Sequence, residues 1–488
     1  MGRTPRVRAR PIADRGGATV PAWWRDAKLG IFVHWTPASV PGWAPTELEI
    51  GELLASGRAN ALAETPYTEW YENSLRFPGS SVSQHHADVH AGRPYAEFGD
   101  LFQAGLNAWD PEDWARRFRA AGARYVVLVS KHHDGFCLWP TGVANPQRRG
   151  WNTSRDVVGE LAEAVRGQGL RFGLYYSGGL DWTFNDHPIG RPSDLLAAVP
   201  TGGYGDYADA HVRELVDRYR PDLLWGDIAW PGNRRRLAEL IGHYRSLVPD
   251  GVVNDRFMPH SVLSGALTSR PAAALIDRGA TWMAKRDRGI VPPKPTIYDT
   301  RSPEYAIFDD TRHGAWECVR GIDRSFGFNQ NSDDSHFIGR DELLWSVCDI
   351  VAKGGNLLLN VGPRGVDAQI PDAQLTRLDW LADFLGPDGD ADGVRGTRPW
   401  IAPGGRCDDT DVRYWVDRGA VVAAVRAGSA SGATTLDGLR PTAATKAELL
   451  GGGQAQVAEH AGRLRVTWSG AAERPVTLLR IHAATAAP

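Results

Sequence analysis

The chain has 488 residues, 42% hydrophobic and 23% charged, a balance that excludes a disordered or fibrous protein and calls for a large domain plus at least one smaller unit. A formal net charge of -3 excludes the strong field that draws nucleic acid or an anionic membrane, so neither is expected as a partner and a neutral substrate is. The four cysteines, Cys137, Cys318, Cys348 and Cys407, form no CxxC pair, which argues against a zinc site or a disulfide framework and fits a reducing compartment.

Residues 1–21 are arginine-rich and lack an apolar signal-like run, and no later segment approaches the length of a membrane span. They are read as a poorly ordered basic tail on a cytoplasmic protein. From Trp23 onward, short β-branched or leucine-rich runs alternate with amphipathic helices, the pattern of βα units around a parallel sheet. The runs are Leu29 to His34, Arg124 to Ser130, Arg171 to Tyr176, Asp222 to Asp227, Val252 to Asp255, Thr296 to Asp299, Ser325 to Phe328, and Asn356 to Val361. Between them, Asp110 and Pro111 predict a helix start, with Trp114, Phe118 and Ala121 on one face. Leu237, Leu240, Ile241 and Tyr244 repeat the pattern, as do Leu344, Val347, Cys348 and Val351.

Near Gly386 to Gly396 the composition turns to Gly, Asp and Pro, and helical periodicity ends. Leu464, Val466 and Trp468 then alternate with polar residues, and Val476 to Ile481 reads as a further strand. The expectation is a (β/α)8-like, TIM-type barrel over residues 22–390, followed by a small antiparallel β-sandwich over 391–488.

In such a barrel the reactive groups project from the C-terminal ends of the strands. Here those ends carry His34-Trp35, Lys131-His132-His133-Asp134, Tyr175-Tyr176-Ser177, Trp225-Gly226-Asp227 and Asn254-Asp255-Arg256. Asp227 sits where a carboxylate can attack an anomeric carbon, or where it can cap the next helix. His34, His132 and His133 can ligate a metal, bond sugar hydroxyls or fill the core; as neighbours in a strand, His132 and His133 should point to opposite faces. His85, His86 and His90 read as surface or loop.

Taken in order, Trp23 to Trp35, Glu69-Trp70-Tyr71, Lys131 to Phe136, Tyr175 to Trp182, Leu224 to Asp227 and Gly354 to Pro363 resemble the family 29 glycoside hydrolases, the α-L-fucosidases, over about residues 22 to 390. The resemblance implies a retaining exo-glycosidase with Asp227 as nucleophile. It implies His34, Glu69, His132 and His133 around the sugar hydroxyls, and Trp70, Trp225 and Phe326 as apolar walls. Tyr175, with Tyr176 as the alternative, and Arg256 would complete the pocket. Ser302-Pro303-Glu304-Tyr305 resembles the segment carrying the second carboxylate, so Glu304 is the expected acid/base and Glu317 its competitor. No metal or other cofactor is implied, and the partner is a fucosylated oligosaccharide or glycoconjugate. A homo-oligomer remains open, as do an α-L-galactoside substrate and a catalytically silent sugar-binding role. The longer stretch after Arg256, including Leu263 to Val291, reads as a rim loop with one helical piece near Ala272 to Asp277.

Overall fold

Leu29–Val33 (β1) is buried along its whole length, as a parallel strand covered on both faces must be. It pairs in parallel with Tyr125–Lys131 (β2) on one side and with Asn356–Val361 on the other. Arg171–Tyr176 (β3), Leu223–Gly226 (β4), Val252–Val253 (β5), Glu317–Gly321 (β6) and Asn356–Val361 (β7) complete a seven-stranded sheet in the order β5-β4-β3-β2-β1-β7-β6. This is a computed structural model, and it describes residues 20–260, 269–287, 289–312, 314–386 and 393–486. The basic tail up to residue 19 lies outside the described residues.

Residues 300–304 form the remaining stave. Single parallel bridges join Asn254 to Thr300, Arg301 to Trp316 and Glu304 to Val319, so an irregular segment runs between β5 and β6 and the sheet curls into a TIM-like barrel. Two expected strands are corrected. Thr296 to Asp299 has no strand; its stave begins at Thr300. Ser325 to Phe328 is a loop beyond β6, held by side-chain acceptors: Asp323 Oδ1 takes the Ser325 N–H and Glu69 Oε2 the Gly327 N–H.

The expected covering helices form. Asp110 accepts the N–H groups of Glu112 and Asp113 at the head of Pro111–Ala120, and Asn233 caps Arg234–Leu247 through the Arg236 N–H. Their apolar stripes, Trp114 with Phe118 and Leu237 with Tyr244, are buried against the sheet. His85, His86 and His90, expected on a surface or loop, instead lie in the helix Ser81–His90; His86 is buried and bonded to the Tyr71 hydroxyl at 2.9 Å. The piece expected near Ala272 to Asp277 is an 18-residue helix, Arg270–Asp287.

From Arg398 onward the chain forms an antiparallel five-stranded sheet and a three-stranded sheet, enclosing Val412, Val421, Leu464, Val466 and Trp468. This β-sandwich packs on the outer face of the helix Arg340–Ala352. Arg413 bonds Asp349, Arg426 bonds Asp341, and both guanidinium groups lie over Trp345. Covered by barrel and sandwich together, that helix is buried nearly all round, which explains its weak amphipathic pattern.

Candidate active site

At the C-terminal ends of the barrel strands lies a cavity of about 240 Å³. Every residue expected at the site lines it: His34, Glu69, Trp70, His132, His133, Tyr175, Trp225, Asp227, Arg256, Glu304 and Phe326. Glu317 does not.

Asp227 follows β4 directly. Its Oδ2 accepts the Tyr175 hydroxyl at 2.8 Å, and its Oδ1 accepts the Ile228 N–H at 2.8 Å and Arg256 Nη1 at 3.2 Å. Glu304 sits on the irregular stave, where its Oε1 accepts the Tyr67 hydroxyl at 2.5 Å and its Oε2 accepts Arg256 Nη2 at 2.9 Å. One guanidinium therefore bonds both carboxylates. Burial opposes the charge on Arg256, yet Glu304 and Asp227 together hold it charged above its ordinary range. Arg256 is in turn fixed by the Ser302 carbonyl at 3.1 Å and by packing over Trp225. The residue after each carboxylate has a left-handed backbone, Ile228 at φ 63° and Tyr305 at φ 50°. For a β-branched residue such as Ile228 this conformation is strained, and the surrounding contacts must hold it.

The histidines are neutral. Burial pushes His34 down to about 3 and His133 down to about 4, and holds His132 well below the imidazole range. Their tautomers follow from their partners. His34 Nδ1 lies 2.5 Å from Asn360 Oδ1, an acceptor, so Nδ1 carries the proton. The Ser177 hydroxyl donates to the Leu180 carbonyl, so its oxygen accepts from His133 Nδ1 at 2.7 Å. Both rings thus keep Nε2 as an acceptor, that of His133 lying 3.8 Å from Asp227 Oδ2. The Nδ1 of His132 is buried with no protein partner. Burial pushes Glu69 up to about 8, so near neutral pH it is largely a carboxylic acid that can donate as well as accept.

His132 and His133 were expected on opposite faces, but both line the cavity. β2 ends at Lys131 after a register shift, so strand alternation no longer applies to them. Tyr175 rather than Tyr176 faces the site; the Tyr176 hydroxyl turns away to His211 Nδ1 at 3.2 Å. Tyr67 was missed in the sequence. The available signal was its place two residues before the Glu69-Trp70-Tyr71 motif. Among the described residues, His34, Glu69 and His132 bring ligand atoms within 4.8 Å of one another and form the one group able to hold a metal ion.

Buried carboxylates joined by a guanidinium, neutral imidazoles and aromatic walls suit an uncharged polyol with one apolar side. Known proteins agree with this description. A family model described as Alpha-L-fucosidase matches residues 9–390. The rat tissue alpha-L-fucosidase is 28% identical over 442 residues, covering 88% of this chain and 82% of the relative. An alpha-L-fucosidase of Branchiostoma floridae is 30% identical over 449 residues, covering 88% and 84%. The structure of Thermotoga maritima alpha-fucosidase in complex with fucose superposes with a TM-score of 0.76 at 35% identity, covering 95% of this chain and 97% of that one. The chain belongs to the α-L-fucosidase family.

Proposed function

We propose that the protein releases L-fucose from α-L-fucosides by double displacement, with Asp227 as nucleophile and Glu304 as acid/base. The observation that carries the reading is the single guanidinium of Arg256 bonded to both carboxylates, because direct displacement needs a close carboxylate pair on one sugar. Asp227 attacks C1 as Glu304, which must enter this step protonated, gives its proton to the glycosidic oxygen, and the alcohol leaves. Glu304, now ionised, takes a proton from water, which attacks C1 and frees Asp227, so the sugar leaves with its α configuration retained. Tyr175 and Arg256 orient the attacking carboxylate. The Nε2 atoms of His34 and His133 accept from sugar hydroxyls, and Glu69 and His132 complete that ring. Trp70, Trp225 and Phe326 pack against the carbon-bound face and the methyl group of a 6-deoxy sugar.

The test is hydrolysis of an aryl α-L-fucoside after exhaustive chelation, beside the matching α-L-galactoside, with NMR of the first anomer released. Metal-independent release of α-L-fucose is the expected result. Activity lost on chelation and restored by a divalent cation would assign His34, Glu69 and His132 to a metal. Binding without turnover would make the protein a sugar-binding member of the fold.

A further inference from the structure

With Glu304 taken as the group that protonates the departing oxygen, whatever wall stands beside it touches the leaving group. That wall is tied to Glu304 itself. The Ile290 N–H donates to the Glu304 carbonyl at 2.9 Å, and the Glu304 N–H donates to the Ile290 carbonyl at 2.8 Å. The approach depends on Gly289, where a Cβ would lie 2.5 Å from the Glu304 carbonyl oxygen. The segment that follows the helix Arg270–Asp287 is thus seated on the acid/base.

The aliphatic part of the cavity lining, which reaches the outside at the half-buried Leu54 and the exposed Met283, includes Ile50 and Leu54 on the helix Ile50–Ser56, Leu195 on the helix Asp194–Ala198, Met283 and Ala284 on the helix Arg270–Asp287, and Ile290. None of these side chains carries a hydrogen-bonding nitrogen or oxygen, in contrast to the imidazoles and carboxyls at the inner end. A sugar in the leaving position would press its hydroxyls against groups that cannot bond them, and each hydroxyl that lost water would carry a desolvation cost. An apolar group there gains instead. Met283 is 42% exposed at the rim, and its flexible thioether side chain adapts to differently shaped apolar groups.

We infer that this aliphatic lining is an apolar leaving-group subsite, and that the preferred substrates are α-L-fucosides of hydrophobic alcohols or phenols rather than fucosylated sugars.

The experiment compares kcat/KM for ethyl α-L-fucoside, hexyl α-L-fucoside and an α-1,2-fucosylgalactose. Alkanols are poorer leaving groups than sugar hydroxyls, so intrinsic reactivity works against the alkyl substrates. Each buried methylene is worth about fourfold, and with partial burial hexyl should exceed ethyl by ~10-fold or more. Hexyl should also exceed the disaccharide. Leu54→Gln and Met283→Gln, both at the rim, should each lower the hexyl-to-ethyl ratio by about threefold or more. α-L-Fucosyl fluoride, which has no aglycone, separates the two readings. If it is not hydrolysed, fucoside hydrolysis and the subsite fall together. If it is hydrolysed, a hexyl-to-ethyl ratio within about twofold of unity overturns the subsite alone. So does a disaccharide that outpaces the hexyl fucoside, or a ratio unmoved by both substitutions.

Discussion

Glu317 accepts the indole N–H of Trp225 at 3.1 Å from beneath the cavity, while its other oxygen takes the Tyr125 hydroxyl at 2.8 Å. Both oxygens are committed inside the barrel, and burial pushes the carboxyl up to about 7. Glu317 is therefore a positioning residue for the Trp225 wall, not a rival acid. Glu317→Ala should orphan two buried donors at a cost of about 1–3 kcal/mol each, read as a lower urea midpoint. Its turnover should not respond to azide. An azide product of retained configuration from this variant would transfer the acid/base role to Glu317.

Why the strand carrying Glu317 escaped the sequence reading is physical. β1, β2 and β7 are covered on both faces and spell nearly unbroken apolar runs, which makes them legible. β6 reads Glu-Cys-Val-Arg-Gly, and its buried glutamate is tolerable only because Tyr125 and Trp225, on two distant strands, converge on it. The stave 300–304 has only isolated bridges and so no strand signature; Glu304 was reached through the resemblance of Ser302 to Tyr305. The cavity residues were legible because they cluster at strand ends, where solubility alone does not ask for histidine and tryptophan. Backbone strain at Ile228 and the Tyr67 to Glu304 hydrogen bond depend on tertiary contacts that no local pattern carries.

Asp227→Gly removes the attacking oxygen while leaving Arg256 bonded to Glu304. The kcat should fall by roughly 10³-fold or more. Azide occupying the vacated space attacks C1 directly, so β-L-fucosyl azide, the inverted product, should accumulate. Near-normal activity in this variant would remove Asp227 from the mechanism.

Stability should depend on pH from both sides. The unfolded chain binds protons below the ordinary imidazole value of 6.5 that folded His34 and His133, held down at about 3 and about 4, refuse. Stability therefore falls as pH drops from 6.5 toward those values. Glu69 behaves oppositely: folded, it keeps its proton up to about 8, whereas unfolded it ionises at its ordinary 4.5. Stability falls as pH rises through that window. Glu69→Gln, uncharged at every pH, should flatten part of the loss between pH 4.5 and 8, the remainder belonging to groups such as Glu317, and leave the acid limb unchanged. Urea midpoints across the range measure both limbs, and an unchanged alkaline slope would mean that Glu69 is ionised in the free enzyme.

Glu304→Ala separates the two halves of the reaction. A general acid matters most for a poor leaving group, so hydrolysis of an alkyl fucoside should fall by about 10²-fold or more. An aryl fucoside with an acidic phenol needs no proton in the first step and should still give a burst of phenol. The second step stalls because Glu304 must also activate water. Azide needs no base, so it should accelerate turnover and yield α-L-fucosyl azide of retained configuration, opposite to the Asp227→Gly product. The substitution also removes one of the two carboxylates that hold Arg256 and leaves the Tyr67 hydroxyl without its partner. Some loss of fucose affinity should accompany the effect, visible as weaker competitive inhibition by L-fucose, because a stalled second step by itself lowers KM for the aryl substrate. The azide product discriminates, since a merely structural defect would slow both steps and give no retained azide. Absence of that product from Glu304→Ala, with the burst also absent, would place the acid/base elsewhere in the cavity.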